Sequence, residues 1–442
     1  MTTPSTTPSN ANPLDLLPMR RGQIWVLVIA MLLSALDGYD VLSMALVAPA
    51  VGRDWHIAKD ALGLLLSSAL VGMGLGSVAL SPLGDIVGRK RVVLGALVLM
   101  TLGAALSAAA QTVPVLAGAR ILTGFGIGAM IAMTTILSAE FANVRRRPLA
   151  VAAVATLGTP LGSIIGGVAA SRILKVATWH EVFVGGAGAG IVLFVLVMLA
   201  LPESPAFLLA RRKHDALERA NRVMAQLGQP GLTDLPPLVQ RERAPYRVLF
   251  APGTRTVVLR LSAVGMLVAS ASYFALSWMP QMVVDAGYTP AQGSMVSAVS
   301  GVVSLIGGVS LAALASRFPI SKLSAAAMAG AALSLVAVAL VPPSLPALVV
   351  AAAALGLCLA GTAGTFYAIT ASTFPPAIRA TGVGFVIGAL RIGSTIGPAL
   401  AGVLFAHGMA RAGVSLVFAA APLAAALLVA TLRQPSSAPD PA

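Results

Sequence analysis

The chain has 442 residues, of which 57% are hydrophobic and only 10% are charged. Soluble domains carry about 25% charged residues, so this composition excludes a soluble globular protein and indicates an integral membrane protein. The net charge of +14 would suggest nucleic-acid binding in a soluble protein, but here the basic residues fall in short connections between apolar runs. There they set the topology of a membrane protein, and no nucleic-acid partner is expected.

Apolar runs long enough to cross a bilayer, about 20 residues each, occur about twelve times along the chain. The sequence therefore predicts an all-α membrane protein with twelve transmembrane helices. The predicted spans cover residues 23–50, 61–82, 92–110, 113–139, 148–171, 181–201, 256–283, 291–315, 322–341, 345–370, 379–405 and 412–432.

The polar segments divide these spans into two halves of six. Residues 202–255, which are basic and proline-rich, predict a cytoplasmic linker between a first bundle, 23–201, and a second bundle, 256–432. Residues 1–22 lack the pattern of a signal peptide and predict a disordered cytoplasmic tail. Residues 433–442 predict a cytoplasmic tail at the other end. Lys and Arg predominate on the linker's side of the membrane, so both termini are predicted in the cytoplasm.

A short repeat links the two halves. Residues 162–166 read GSIIG in the fifth span, and residues 393–397 read GSTIG in the eleventh. Such a match can arise by chance among 44 glycines, but it falls at equivalent places in the six-plus-six layout. It favours two six-helix bundles related by pseudo-two-fold symmetry, with substrate held between them near the midplane.

Asp37 and Asp40 stand out because they lie inside the first apolar run. Ionising an acid at the centre of a span costs about 2.5 to 3.5 kcal/mol, so such acids mark functional sites by default. Their i,i+3 spacing places both on one helix face, and Gly38 leaves room for a close neighbour. The alternative is that the two acids line a wet crevice for structural reasons.

Arg120 in the fourth span and Arg391 in the eleventh are predicted at a similar depth to the two acids. The negative charges of the two acids then balance the positive charges of the two guanidiniums. The extra negative charge of an entering anion is compensated when one of the acids binds a proton. Arg391 is the candidate fork for a substrate carboxylate, and Arg120 is a further candidate substrate contact. Either Asp37 or Asp40 is the candidate proton carrier, because all four histidines fall in predicted loops. The alternative is that each arginine snorkels to a lipid headgroup.

Two charged segments at the predicted cytoplasmic side suggest gating. Residues 84–91, GDIVGRKR, join spans two and three; positive-inside anchoring explains their basic residues but not the glycines or Asp85. Glu140 with Arg145 to Arg147 forms either a second clamp or a solvated charge run. The candidate gating residues are Gly84, Asp85, Gly88, Arg89, Glu140 and Arg145.

Aromatic side chains in three spans are candidate contacts for a substrate ring. Tyr273 and Trp278 precede Pro280 in span seven, and Phe366 and Tyr367 lie in span ten. Tyr39, between the two acids, is a further candidate substrate contact. The alternative for aromatic residues near helix ends is an interfacial belt.

No enzymatic chemistry is indicated. Cys358 is the single cysteine, so neither an intrachain disulfide nor a thiol metal site is expected. The sequence contains no metal-ligand cluster or nucleophile–histidine pair. We therefore expect no catalytic residues, no metal and no cofactor.

With these residues in place, the chain resembles the major facilitator superfamily over essentially its whole length, and within it the aromatic acid:proton symporter family. The loop motif is common to the superfamily, whereas the DGYD motif together with the span-seven and span-eleven stretches is much narrower. The resemblance rests on residues 37–40 (DGYD), 84–91, 120–128 (RILTGFGIG), 201–205 (LPESP), 273–280 (YFALSWMP) and 378–384 (IRATGVG) with Arg391.

The resemblance implies a secondary transporter of the major facilitator fold in the inner membrane of a bacterium. It implies import of a small aromatic carboxylate, benzoate-, hydroxybenzoate- or gentisate-like, together with a proton, by a lipid-embedded monomer. Rival interpretations are a carrier of another organic anion, a sugar or an organic cation, a drug exporter, or a membrane-embedded sensor or enzyme. The residues that match positions on which the family relies are Asp37, Asp40, Asp85, Arg120, Glu140 and Arg391.

One departure from the family pattern concerns the second copy of the loop motif. Between spans eight and nine the family has an acid followed by Gly-Arg-Arg, whereas residues 316–322 read SRFPISK here. The acid and the glycine are missing, so we assign no gating role to this loop.

Overall fold

The computed structural model of the chain describes residues 12–212, 214–236, 246–252, 254–314, 317–375 and 378–431. Over these ranges the protein is α-helical, and twelve helices are long and apolar enough to cross a membrane. The prediction of a twelve-helix all-α membrane protein is confirmed. In chain order the helices are α1 (Arg21–Asp54), α2 (Lys59–Ala79), α3 (Leu83–Val87), α4 (Arg89–Ala108), α5 (Val113–Phe141), α6 (Arg147–Val176), α7 (His180–Ala200), α8 (Pro205–Ala210), α9 (Ala216–Gln226), α10 (Arg255–Asp285), α11 (Pro290–Leu314), α12 (Ile320–Leu340), α13 (Leu345–Thr373), α14 (Arg379–Ala406) and α15 (Arg411–Ala430).

The repeated glycine motif makes the same contact in each half of the protein. A β-carbon on Gly162 of α6 would overlap the carbonyl oxygen of Ala35 on α1. A β-carbon on Gly393 of α14 would overlap the carbonyl oxygen of Met266 on α10 in the same way. Because only glycine permits this backbone approach, the motif fixes an equivalent helix pair in both bundles.

The two bundles meet mainly through two helix pairs, α2 with α14 and α6 with α11. Gly63 of α2 lies against Gly402 of α14, and Gly167 of α6 lies against Ser294 of α11. We call the membrane face that carries residues 12–20, α3, α8 and α9 the terminal face, and the face that carries the connection between α1 and α2 the opposite face. The contacts between the bundles lie near the opposite face.

Residues 12–20, the described part of the predicted N-terminal tail, pack against the terminal face. Leu14 is fully buried in the same apolar cluster as Met224 of α9. The side-chain amide of Gln229 donates to the carbonyl oxygen of Pro18 and to the side chain of Gln23, both at 2.7 Å. This segment is therefore ordered by burial, and α1 begins at Arg21. Residues 1–11, Ser316 and the predicted tail 433–442 lie outside the described residues.

Candidate functional site

A cavity of about 360 Å³ lies between the two bundles and extends toward the terminal face. Helices α1 and α6 line one side, and α10, α11, α13 and α14 line the other. Arg391 is the one charged side chain among the described residues that line it. Tyr273, Phe366 and Tyr367, three of the predicted ring contacts, also lie in its wall.

Asp37 and Asp40 are buried in the middle of α1, with 3% and 2% of their surface exposed. Neither carboxylate oxygen of Asp37 has a hydrogen-bond donor among the described residues. Arg391 lies within electrostatic range of Asp37, whereas the basic neighbour of Asp40 is Arg120. The two acids are therefore not equivalent, because only Asp37 is associated with the guanidinium that lines the cavity.

Gly38 sits between the two acids where α6 crosses α1. A β-carbon at this position would overlap the carbonyl oxygen of Thr159, so the close approach predicted from the sequence is present. Thr159 itself lines the cavity. The glycine thus brings the cavity wall next to the helix that carries the acids.

Arg120 is fully buried, with no exposed surface. Its Nη2 donates to the backbone oxygen of Asp40 at 2.5 Å, and its guanidinium lies 5.4 Å from the ring centre of Phe183. The Nε and Nη1 atoms have no acceptor among the described residues. Because the side chain does not reach a surface, snorkelling does not describe Arg120, which instead holds the backbone of α1 at Asp40.

Arg391 presents to the cavity a guanidinium group with unused hydrogen-bond donors. Its Nη1 lies 3.5 Å from the sulfur of Met73, a weak acceptor, and its buried Nε has no acceptor among the described residues. It makes no salt bridge with a described carboxylate within 4.0 Å. A guanidinium with free donors at a cavity wall can bind a carboxylate in two places.

The rest of the cavity wall is rich in serine hydroxyl groups whose protons already form hydrogen bonds to backbone oxygens of the protein. Ser300 and Ser304 of α11 donate to the carbonyl oxygens of Ala352 and Gly356 on α13, both at 2.9 Å. Ser272 of α10 donates back to its own helix. In this arrangement each oxygen keeps only acceptor capacity, so this part of the wall is complementary to a ligand that carries hydroxyl donors. The sequence analysis did not single out these serines.

Tyr39 and Trp278, like Arg120, are predicted substrate contacts that do not line this cavity. The Tyr39 hydroxyl donates to the backbone oxygen of Val182 at 2.5 Å, and its ring lies against Gly186, inside the first bundle. Trp278 is fully buried, and its indole nitrogen donates to the backbone oxygen of Pro398 at 3.0 Å. Both side chains find their polar partner on a neighbouring helix, which turns them away from the cavity.

Four of the six predicted gating residues form one cluster at the terminal face. Arg89 pairs with Glu140 at 2.8 Å and with Asp85 at 3.0 Å, and it donates to the backbone oxygen of Gly84 at 2.9 Å. Arg145 is exposed and makes no ion pair with a described residue. The cluster joins α3, α4 and α5, so it lies within the first bundle and does not bridge the two halves.

Gly88 is required by its backbone and by its neighbour. Its φ of 112° is unfavourable for other residues, and a β-carbon there would overlap the carboxylate of Glu203. Glu203 accepts hydrogen bonds from the backbone nitrogens of Arg89 and Lys90 at 2.8 and 3.3 Å. It therefore caps the start of α4 with a negative charge, a role not predicted from the sequence.

An ion pair joins the two bundles at the opposite face. Lys59 Nζ at the start of α2 lies 2.6 Å from a carboxylate oxygen of Asp285 at the end of α10, and Gln281 donates to the same carboxylate at 2.8 Å. The sequence analysis did not predict this pair. Both charges stand at span ends on the same predicted side, but nothing in the sequence pairs α2 with α10.

Comparison with known proteins agrees with this architecture. A family model described as Major Facilitator Superfamily matches residues 27–344 and 261–442. The gallate transporter of Pseudomonas putida is 29% identical over 413 residues, covering 92% of this chain and 90% of that protein. The 4-hydroxybenzoate transporter PcaK of Pseudomonas aeruginosa is 30% identical over 399 residues, covering 88% of this chain and 86% of that protein.

Among solved structures, a D-xylose-proton symporter superposes with a TM-score of 0.72 at 16% identity, covering 93% of this chain and 98% of that structure. At this identity the likeness concerns the fold alone. Relatives and fold are those of membrane transporters rather than enzymes, and the resemblance to aromatic acid transporters noted in the sequence is confirmed. The chain is a multi-pass membrane transporter that belongs to the major facilitator superfamily.

Proposed function

We propose that this transporter imports an aromatic carboxylate together with a proton, by alternating access. The observation that carries the proposal is that Asp37, a buried acid whose carboxylate has no donor among the described residues, lies within electrostatic range of Arg391, whose guanidinium has free hydrogen-bond donors at the cavity wall. The similarity to proteins named gallate and 4-hydroxybenzoate transporters supports an aromatic acid as substrate.

In this proposal Arg391 binds the substrate carboxylate. Its free donors can form two parallel charge-assisted hydrogen bonds, which also orient the ring. The side chains of Tyr273 and Phe366 line the same cavity and offer aromatic surface to the ring. Ring hydroxyl groups would then donate to the serine oxygens of α11, whose own protons bond to α13.

Asp37 would carry the proton. An ionised carboxylate buried without a donor costs several kcal/mol, and this cost is offset only while Arg391 compensates it. When the substrate carboxylate takes over Arg391, Asp37 loses that compensation, and binding a proton removes its charge. Asp40 would remain a structural partner of Arg120, which holds its backbone. Substrate and proton would therefore bind together.

Alternating access would proceed by rocking of the two bundles around this cavity. The Lys59–Asp285 pair joins the two bundles at the opposite face, so opening toward that face requires the pair to separate. We propose that the terminal face is cytoplasmic, because basic residues of short loops are retained inside. The transporter would then act as a monomer in the inner membrane of a bacterium.

Uptake into proteoliposomes tests the proposal. We expect radiolabelled 4-hydroxybenzoate to accumulate when the outside is more acidic than the inside, and an uncoupler to abolish accumulation. Empty liposomes are the control. Uptake of an organic cation instead, or accumulation of the acid that ignores the pH gradient, would contradict proton-coupled transport of an aromatic anion.

A further inference from the structure

A second concave surface lies on the terminal face, apart from the transport cavity. It is a groove of about 540 Å³ between the first turns of α4 and the helices α8 and α9. Five basic and two acidic side chains line it, which leaves a net charge of +3. The basic residues are Lys90, Arg91, Arg211, Arg219 and Arg222.

The groove lies at the depth where two spans enter the membrane. Lys90 and Arg91 belong to the first turn of the spanning helix α4, and Lys90 Nζ donates to the backbone oxygen of Met198 near the end of the spanning helix α7, at 2.9 Å. Apolar side chains beside it face outward: Ile86 is 55% exposed and Leu199 is 77% exposed. A charged pocket thus adjoins a surface that lipid chains cover.

Two of the cations are available to a ligand. Among the described residues, the side chains of Arg91 and Arg211 have no hydrogen bond or ion pair, and the Arg211 guanidinium lies 5.7 Å from the ring centre of Phe207. Arg219 pairs with Asp215, which precedes α9, and Arg222 pairs with Glu218 of α9. Glu203, which lies between α7 and α8, already accepts hydrogen bonds from the backbone nitrogens of α4. The free charge of the groove is therefore positive.

We infer that this groove binds the headgroup of an anionic phospholipid such as phosphatidylglycerol. Its phosphate lies between Arg91 and Arg211, and its acyl chains extend along the exposed apolar side chains of α3 and α7. Arginine forks bind phosphate oxygens in pairs, and basic pockets beside transmembrane helices attract anionic lipids. A soluble phosphate ester would use the charges of the groove but not the adjoining apolar surface. By joining α4 to α8, the lipid holds the linker against the first bundle.

Native mass spectrometry of the delipidated full-length protein, titrated with phosphatidylglycerol or phosphatidylcholine, tests this inference. We expect the protein to prefer phosphatidylglycerol, and we expect the R91Q/R211Q variant to bind it about 30-fold more weakly, with each single variant about 5-fold weaker. R91K/R211K keeps both charges but loses the forks, so its affinity for phosphatidylglycerol should lie between those of the wild type and R91Q/R211Q. The matched control is R53Q/R172Q, which removes two exposed arginines from the opposite face and should bind like the wild type.

Several outcomes would overturn the inference. Equal affinity for the two lipids would exclude a headgroup site, and unchanged phosphatidylglycerol binding in R91Q/R211Q would place the lipid elsewhere. Tight binding of sn-glycerol 3-phosphate alone would identify a soluble ligand. The lipid-free thermal unfolding of each variant should match the wild type; if the double variant unfolds early, the two single variants decide the question.

Discussion

Replacing Asp37 by asparagine isolates the proton-carrying step. The change preserves the shape of the side chain but leaves it unable to bind or release a proton. Both carboxylate oxygens of Asp37 lack a donor among the described residues, so the substitution breaks no hydrogen bond. An ionised acid at a span centre costs about 2.5 to 3.5 kcal/mol, so the free energy of unfolding should be unchanged or higher in the variant.

The effect on transport should be large. If one proton accompanies each anion, the transported pair is neutral and only the pH gradient drives accumulation. One pH unit corresponds to about 1.4 kcal/mol, or about tenfold accumulation. Wild-type proteoliposomes should approach this ratio, whereas Asp37→Asn should show no accumulation. The variant resembles the protonated state permanently, so exchange of external for internal substrate should persist.

The assay compares pH-driven accumulation with substrate exchange in the same proteoliposomes, using radiolabelled 4-hydroxybenzoate. The matched control is Asp60→Asn, which neutralises an exposed acid on the same bundle and should behave like the wild type. Wild-type accumulation by Asp37→Asn would refute the assignment of Asp37 as proton carrier. Loss of both activities in a variant that unfolds like the wild type would place Asp37 in substrate binding instead.

Three further predictions concern the cavity and its closure. Arg391→Lys keeps the charge but loses the fork, so the Kd for 4-hydroxybenzoate, measured by tryptophan quenching, should rise about 10- to 150-fold; wild-type affinity would contradict this role. Ser300→Ala removes one acceptor, so the Kd should rise about 5-fold for 4-hydroxybenzoate and not for benzoate, and equal changes would exclude recognition of the ring hydroxyl. Lys59→Gln should increase the population of molecules open at the opposite face, measured from distances between spin labels, by less than about 5-fold, because exposed ion pairs are weak. The charge-swapped variant, Lys59→Asp with Asp285→Lys, should restore the wild-type distances. If it does not, the ion pair does not hold this face together.

The spans could be predicted from the sequence because hydrophobic length alone identifies a membrane crossing. The boundaries differ where polar residues continue a helix beyond its apolar part. The first span was predicted at residues 23–50, yet α1 runs from Arg21 to Asp54. The repeated glycines could also be interpreted, because close helix packing depends on residue size and therefore on sequence.

The directions of side chains across helix pairs could not be predicted. Asp37 and Arg391 stood out because a charge inside an apolar run is costly wherever it points. Tyr39 and Trp278 carry no such cost, and their orientation depends on acceptors of other helices, the backbone oxygens of Val182 and Pro398. The hydroxyls of α11 were missed for a related reason: serine is common in transmembrane helices, and only the packing of α11 on α13 shows where its proton goes.

Measuring proton uptake on substrate binding shows directly whether Asp37 takes up a proton when Arg391 binds the substrate carboxylate. A pH indicator in weakly buffered detergent solution reports protons taken up when 4-hydroxybenzoate is added to the purified protein. If Asp37 carries the proton, the wild-type protein takes up protons as substrate binds, and Asp37→Asn binds substrate without taking up any. Substrate binding without proton uptake in the wild type, or equal uptake in both proteins, would contradict this role of Asp37.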